Sequence, residues 1–101
     1  MVSDSGFRIS NRARAEIQDI WQFTRERWSP PRAAAYVTEL DRVFGLLADF
    51  PELGVLRSEI RPPVRVHRFK AHLIVYRDLN PGIEILRVLH LRQDWMAALS
   101  E

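Results

Sequence analysis

Two helix-like stripes of apolar residues, joined by a short link with two prolines, constrain the fold of this chain more than any other feature. The first stripe has spacings of three, four and one, and runs through Ala13, Ile17, Ile20, Trp21, Thr24 and Trp28. The second runs through Ala33, Tyr36, Val37, Leu40, Val43, Phe44, Leu47 and Phe50. Ser29-Pro30-Pro31 ends one helix and starts the next, because proline is tolerated in a first helical turn. The sequence therefore predicts helices over residues 11–28 and 31–50 that form an antiparallel hairpin.

Four other segments are predicted to be strands. Phe7–Ile9 precedes Ser10, a suitable N-cap for the first helix. Val64–Phe69 alternates apolar and polar residues, and residues 72–77 are apolar and β-branched in their middle. Ile83–His90 is the most hydrophobic of the three and is expected to be central. Residues 52–61 are predicted to form a loop, and residues 93–99 a last helical turn. The order β-α-α-β-β-β indicates an α+β fold, with a helical hairpin packed on an antiparallel sheet. One domain of residues 7–101 is expected after a flexible N-terminus of residues 1–6.

The two faces of the sheet are predicted from alternation, because alternate residues of a strand share a face. The more apolar set, expected under the helices, is Val64, Val66, Ile74, Tyr76, Leu86, Val88 and His90. The other set mixes cations with apolar groups, as a binding surface would: Arg65, His67, Leu73, Val75, Arg77, Ile85, Arg87 and Leu89. Arg87 is expected either on this open face or in a pair with Glu84 or Asp94, because an unpaired charge in a buried strand is costly.

The charge of the chain is small but uneven. The formal net charge is +2, and fourteen of the fifteen basic residues are arginine. Residues 57–94 carry a local charge of +4, from seven Arg and one Lys against four acids. The planar guanidinium group suits phosphate or carboxylate ligands, which favours a binding role for this half of the chain. A codon preference in a GC-rich genome is the alternative explanation of the arginine bias.

Several classes of site are excluded or disfavoured. The chain has no cysteine, so it has neither disulfides nor a thiolate zinc site. His67 and His72 lack an evident third ligand, so no metal and no cofactor are expected. The first residues do not resemble a signal peptide, and no apolar run approaches the ~20 residues that span a bilayer. The predicted location is therefore the cytoplasm, with no membrane partner.

Three segments, taken in order, resemble ParE-type toxins of the RelE/ParE superfamily. They are FRISNRARAEIQDIWQFTRERW, LADFPELGVLRSEIRP, and HLIVYR followed by IEILRVLHLRQDW, which together cover about residues 7–95. The resemblance implies a RelE/ParE-like fold and the toxin component of a type II toxin–antitoxin system. It also implies one of two activities: ParE-type members poison DNA gyrase and are neutralised by a ParD-type antitoxin, whereas RelE-type members cleave mRNA on the ribosome.

The residues favour binding over catalysis. RNA cleavage needs a base, an acid and cations that stabilise the charged phosphorane. The resemblance implies that ribonuclease members supply these groups with basic side chains on the sheet and often with a Tyr or His near the C-terminus. Arg65, His67, Arg77 and Arg87 are expected to share a face and His90 ends the last strand, but Leu91 follows it instead of an aromatic hydroxyl, and no late Tyr or Lys follows. The leading prediction is inhibition of gyrase or a related topoisomerase by binding. The alternatives are a ribosome-dependent mRNA endonuclease and a non-toxic protein-binding module.

Two sets of contact residues are predicted. The target is expected to meet Arg65, His67, Arg77, Arg87, His90 and Arg92. His90 matches the histidine of the family's VLH segment, with a hydrogen-bonded structural role as the alternative. Arg92 and Asp94 match its basic-x-acidic end, with a local ion pair as the alternative. A ParD-like antitoxin is expected to form a hetero-oligomer through Phe23, Arg57, Arg61 and Trp95. Its disordered, acidic C-terminal segment would fold on binding beside the helical hairpin.

Overall fold

The computed structural model describes residues 6–100, which form a helical hairpin, a five-stranded sheet and a short C-terminal helix. The elements in chain order are β1 (Phe7–Ile9), α1 (Asn11–Arg27), α2 (Pro30–Asp49), a 3-10 turn (Pro51–Leu53), β2 (Val55–Arg57), β3 (Val64–Phe69), β4 (His72–Asp78), β5 (Ile83–His90) and α3 (Trp95–Leu99). The predicted α+β class is therefore confirmed. The flexible segment predicted for residues 1–6 lies, apart from Gly6, outside the described residues.

The helical hairpin forms where the stripes predict it, and serines cap both helices. Ser10 accepts a hydrogen bond from the Ala13 N–H at 3.0 Å, and Ser29 accepts one from the Arg32 N–H at 3.2 Å. Pro30 lies in the first turn of α2, where its missing N–H costs nothing. No helix within the described part of the chain is long and apolar enough to cross a membrane.

The sheet has the strand order β1-β5-β4-β3-β2. β3, β4 and β5 are antiparallel, as predicted, whereas β1 runs parallel to β5, so the sheet is mixed. β4 takes the central place and β5 lies beside it, so the prediction that Ile83–His90 is the central strand was wrong. The prediction of a loop over residues 52–61 was wrong in one part, because Val55–Arg57 pairs with β3 as a fifth strand.

The main core lies between the helices and one sheet face. Its largest buried members are Phe7, Leu40, Phe44, Leu47, Ile74, Tyr76, Ile83 and Ile85, and the rings of Phe7 and Phe44 meet edge to face at 5.6 Å. The buried Tyr76 hydroxyl donates to the Pro51 carbonyl and accepts from the Gly54 N–H at 2.8 Å. A Cβ at Gly54 would lie 2.2 Å from the Tyr76 hydroxyl oxygen, so this position requires glycine.

The other sheet face is also apolar and covered, contrary to the prediction of an open surface. Its buried residues are Val64, Val66, Leu73, Val75 and Leu89, against which Ile60, Leu86, Leu91, Trp95, Ala98 and Leu99 pack. Val64, Val66 and Leu86 were therefore assigned to the wrong face, and so was Ile85, which lies under the helices. The register of β4 on β5 shifts at Val75/Tyr76, and this irregularity reverses the alternation within β5.

Candidate functional site: an aromatic groove at the end of the sheet

A groove of about 560 Å³ lies between α1, the start of α2 and the ends of β4 and β5. It is lined by Glu16, Asp19, Ile20, Phe23, Thr24, Trp28, Arg32, Tyr36, Ala71, His72, Val88, His90 and Gln93. Phe23 and Trp28 are 62% and 60% exposed. Large apolar side chains that stand this far out of a concave surface are typical of a site that binds another molecule.

The groove lies next to the part of the β5 edge that β1 does not pair with. β1 ends at Ile9, and side chains replace it along the rest of the β5 edge. Ser10 Oγ donates to the Leu86 carbonyl at 2.8 Å, and Glu16 Oε1 accepts from the Val88 N–H at 2.8 Å. Gln93 Oε1 then accepts from the His90 N–H at 3.0 Å. The edge is therefore satisfied by side chains and is closed to an added strand at these positions.

Glu16 has a second role in an ion pair with Arg87. The carboxylate lies 2.8 Å from the guanidinium, and the two side chains are only 19% and 13% exposed. Arg87 also donates to the Ala98 carbonyl at 3.2 Å, so it joins α1, β5 and α3. Glu84 or Asp94 was the predicted partner of Arg87, and this was wrong. The partner is Glu16, which lies 71 positions away in the chain.

The floor of the groove holds a chain of three ring side chains. The Tyr36 hydroxyl lies 2.6 Å from His72 Nδ1, and the His72 and His90 rings meet edge to face at 5.2 Å. The Arg92 N–H donates to His90 Nδ1 at 3.0 Å. Burial, followed by the effect of His90, lowers the pKa of His72 to about 4, so this ring is neutral at neutral pH. Burial, followed by the charge of Glu39, raises the pKa of Tyr36, so its hydroxyl keeps its proton.

The four residues predicted to share an open face do not share one. Arg65 and His67 alternate with Val64 and Val66, so they lie on the helix side of β3. Arg77 and Arg87 lie on the opposite side. Arg65 pairs with Asp78 at 3.1 Å and also donates to the Gly54 carbonyl at 3.2 Å.

Arg77 belongs to a three-residue charge cluster on the α3 side of the sheet. It pairs with Glu84 at 2.7 Å, and Arg8 pairs with the same carboxylate at 3.0 Å. Burial raises the pKa of Glu84, but hydrogen bonds from Arg77 and Arg8 outweigh it and hold that pKa below its ordinary value. Glu84 is therefore ionised at neutral pH and cancels part of the positive charge predicted for this face.

The remaining predicted contacts fall in two places. Phe23 and His90 line the groove, although the sequence assigned them to different partners. Arg57 lies over the Trp95 ring at 5.0 Å on the α3 side and pairs with Glu59 at 2.8 Å. Arg61 and Arg92 are exposed. Asp94 accepts from the Ala97 N–H at 3.1 Å as the cap of α3, rather than pairing with Arg92.

Sequence reasoning missed several groove residues. Trp28 and Tyr36 continue the helical stripes, a position that indicates burial rather than a place in a binding groove, yet Trp28 is largely exposed. Glu16 and His72 carried no signal, because their partners are distant in the chain. Phe23 was named from the sequence as a contact residue, and its side chain is indeed exposed beside the groove.

Comparison with known proteins identifies the family. Residues 7–95 match the family model described as the ParE toxin of the type II toxin–antitoxin system parDE. The chain is 34% identical to toxin ParE1 of Caulobacter vibrioides over 84 residues, which is 83% of this chain and 86% of that protein. It is 35% identical to toxin ParE1 of Mycobacterium tuberculosis H37Rv over 91 residues, which is 89% of this chain and 93% of that protein.

A solved structure shares the fold. Its title is "Chromosomal ParDE TA system from P. aeruginosa", and it superposes with a TM-score of 0.74 at 19% sequence identity. The match covers 86% of this chain and 96% of that chain. The similarity establishes that the arrangement of the helical hairpin on the sheet is the same in both.

Proposed function

We propose that this chain, which belongs to the ParE toxin family of type II toxin–antitoxin systems, inhibits DNA gyrase or a related topoisomerase by binding to it. The inhibitor would stabilise a cleaved DNA–enzyme state through protein–protein contact in the cytoplasm, without a cofactor. The observation that carries the proposal is the family match over residues 7–95, since a fold alone would not separate gyrase poisons from RNA nucleases.

The placement of the cations supports binding over RNA cleavage. A nuclease must bring a base, an acid and charge-stabilising groups around one phosphate. Arg65 and His67 lie on one side of the sheet, and Arg77 and Arg87 lie on the other. Arg65, Arg77 and Arg87 are also held by carboxylates of the same chain. These four residues are therefore poorly arranged to act together on a phosphate.

The proposed target surface consists of Arg65, His67, Arg77, Arg87, His90 and Arg92. Within residues 6–100, Arg92 is exposed and has no acidic partner, so it is the member best placed to contact another protein. A paired guanidinium would have to exchange its own carboxylate for one on the target, with little net gain.

A ParD-like antitoxin is the proposed neutralising partner. Its C-terminal segment would bury apolar side chains in the groove against Phe23 and Trp28, and apolar burial would supply most of the affinity. A segment that continues around the chain would reach Arg57, Arg61 and Trp95 on the α3 side. The product would be a hetero-oligomer of toxin and antitoxin.

The target proposal is tested with purified toxin, gyrase and supercoiled plasmid. Linear DNA is expected to accumulate, and Arg92→Glu is expected to reduce this accumulation. Arg14→Glu is the matched control, because Arg14 is an exposed arginine of α1 outside both predicted contact sets. Cuts in translated mRNA with unaffected gyrase would instead support the endonuclease alternative.

The antitoxin proposal is tested with the antitoxin encoded beside this chain. Phe23→Asp is expected to weaken its binding by about 30-fold or more, the effect of losing an aromatic anchor. Leu53→Asp is the matched control, because Leu53 is also about half exposed but follows the far end of α2. Equal losses of affinity in the two variants would show that the groove is not part of the antitoxin interface.

A further inference from the structure

We infer that His72 and His90 present two imidazole N–H donors on the floor of the groove, and that these donors bind a neutral carbonyl oxygen of the antitoxin chain. The carbonyl would belong to a residue beside a bulky apolar side chain that packs against Phe23 and Trp28. The inference rests on the proposed function for the identity of the partner, and on the geometry of the groove for the chemistry.

The hydrogen bond from Arg92 identifies which ring nitrogen of His90 is the acceptor. A backbone N–H can only donate, so His90 Nδ1, 3.0 Å from the Arg92 nitrogen, must offer a lone pair. A neutral imidazole with an unprotonated Nδ1 carries its proton on Nε2. While this bond persists, the ring hydrogen of His90 lies on Nε2, which is therefore a donor.

The hydroxyl of Tyr36 fixes His72 in the same form. An imidazole nitrogen is a much stronger base than a phenol oxygen, so the Tyr36 hydroxyl donates to His72 Nδ1 across the 2.6 Å contact. His72 is neutral because of its burial, so its single proton lies on Nε2. Both rings thus use Nδ1 as an acceptor within the chain and keep Nε2–H as a donor.

Both donors are available to a ligand. Neither Nε2 atom has a hydrogen-bond partner within residues 6–100, and no unpartnered side-chain nitrogen or oxygen of this part of the chain is shut off from solvent. The two rings are adjacent, with centroids 5.2 Å apart, and both line the groove. An oxygen atom placed in the groove could therefore accept from one ring or from both.

The other charges of the groove select a neutral acceptor. Glu16 is already paired with Arg87. The charges of Asp19 and Arg32 therefore nearly balance, and the groove has no net positive charge that would attract a carboxylate or a phosphate. Arg32 is positioned over the Trp28 ring at 4.2 Å, at the aromatic rim of the groove. A cation has no lone pair to accept from the two rings. A peptide carbonyl satisfies the N–H donors without a charge, and its neighbouring side chain can fill the apolar part of the groove.

A free carbonyl restricts the conformation of the bound segment. Inside an α-helix, each carbonyl already accepts from the N–H four residues later. The last four carbonyls of a helix, and many carbonyls of an extended chain, remain available. The antitoxin residue above His72 and His90 should therefore lie in an extended stretch or in the last turn of a helix, not in a helix interior.

Two substitutions at His90 separate the two ring nitrogens. Asparagine places an acceptor near the position of Nδ1 and retains the bond from Arg92, but it removes the donor in the groove. Glutamine places an N–H donor near the position of Nε2 and loses the acceptor for Arg92. His90→Asn is expected to weaken antitoxin binding about fivefold to tenfold, the effect of one lost neutral hydrogen bond, and His90→Gln is expected to stay within about threefold of wild type.

The experiment is a calorimetric titration of each toxin variant with the full antitoxin encoded beside it, at low and at high salt. Urea unfolding of each variant confirms that it is folded. A loss for His90→Asn that is the same at both salt concentrations supports a neutral carbonyl, and a loss that shrinks at high salt overturns it in favour of a carboxylate. Wild-type affinity for His90→Asn overturns the inference while leaving the partner intact. A wild-type chain that does not bind this antitoxin overturns the proposed partner and the inference with it.

Discussion

Replacing Glu16 with alanine is expected to destabilise the chain by about 3 kcal/mol. The substitution removes the acceptor of the Val88 N–H and the anion that pairs with Arg87, each at 2.8 Å. Breaking a buried ion pair from one side costs about 3–5 kcal/mol, because the remaining charge stays in a poorly solvated place. Since the two side chains keep 19% and 13% of their exposure, water can partly reach the remaining charge, and the lower end of this range applies.

Glu16→Gln is the matched control, because it retains a side-chain oxygen for the Val88 N–H but replaces the charged oxygen that faces Arg87 with an amide NH2 group. Its expected cost is about 1–2 kcal/mol, since the guanidinium loses its anion but keeps its bond to the Ala98 carbonyl. The difference between the free energies of unfolding of the two variants then measures the cost of leaving the Val88 N–H without an acceptor. A double-mutant cycle with Arg87→Met should give a coupling energy of about 1–2 kcal/mol.

Urea unfolding followed by circular dichroism measures these changes in the free energy of unfolding. For a domain of this size, a loss of 1 kcal/mol lowers the melting temperature by roughly 4–8 °C, so Glu16→Ala should melt roughly 12–24 °C below wild type. A loss below about 1 kcal/mol for Glu16→Ala, or equal losses for the alanine and glutamine variants, would refute the view that Glu16 substitutes for a missing strand.

Three further predictions concern stability. The pKa of His72 falls from 6.5 to about 4 on folding, so the unfolded chain takes up a proton at a higher pH than the folded chain does. The free energy of unfolding should therefore be greatest above pH 6.5 and decrease as the pH falls towards 4. Because solvent screens the half-buried ring, the decrease in the free energy of unfolding should be about 1–2 kcal/mol. Urea midpoints that stay constant over this pH range would contradict the prediction. Gly54→Ala should cost about 2–3 kcal/mol in urea unfolding, because its Cβ would meet the Tyr76 hydroxyl. Gly45→Ala, whose Cβ has open space within α2, should instead stabilise by about 0.5–1 kcal/mol, and destabilisation there would be the contrary result.

The helical hairpin could be predicted from the sequence because its signals are local. The stripes recur every three or four residues, and Ser10 and Ser29 stand where caps are needed. The strand Val55–Arg57 was missed because three residues between Gly54 and Pro62-Pro63 carry too little alternation to outweigh the turn signals around them. It forms because β3 offers it a free edge, a fact of the tertiary structure.

The faces of the sheet and the groove could not be predicted in the same way. Alternation predicts two faces, but it does not say that both are covered, and α3 covers the second one. The irregular register at Val75/Tyr76 moves Ile85 and Leu86 to faces opposite to those predicted. The groove joins α1, α2, β4 and β5, so its histidines and Glu16 meet only when the distant halves of the chain pack.

The fold explains part of the arginine content. Arg87 bridges Glu16 and the Ala98 carbonyl, and Arg65 bridges Asp78 and the Gly54 carbonyl. Each bridge uses separate N–H groups of one planar fork, which the compact ammonium of lysine cannot match in direction. These ion pairs neutralise part of the positive charge of residues 57–94 within the chain, and one of the acids, Glu16, comes from α1. The surface left for partners is therefore defined more by the aromatic rim and neutral donors of the groove than by a field of cations.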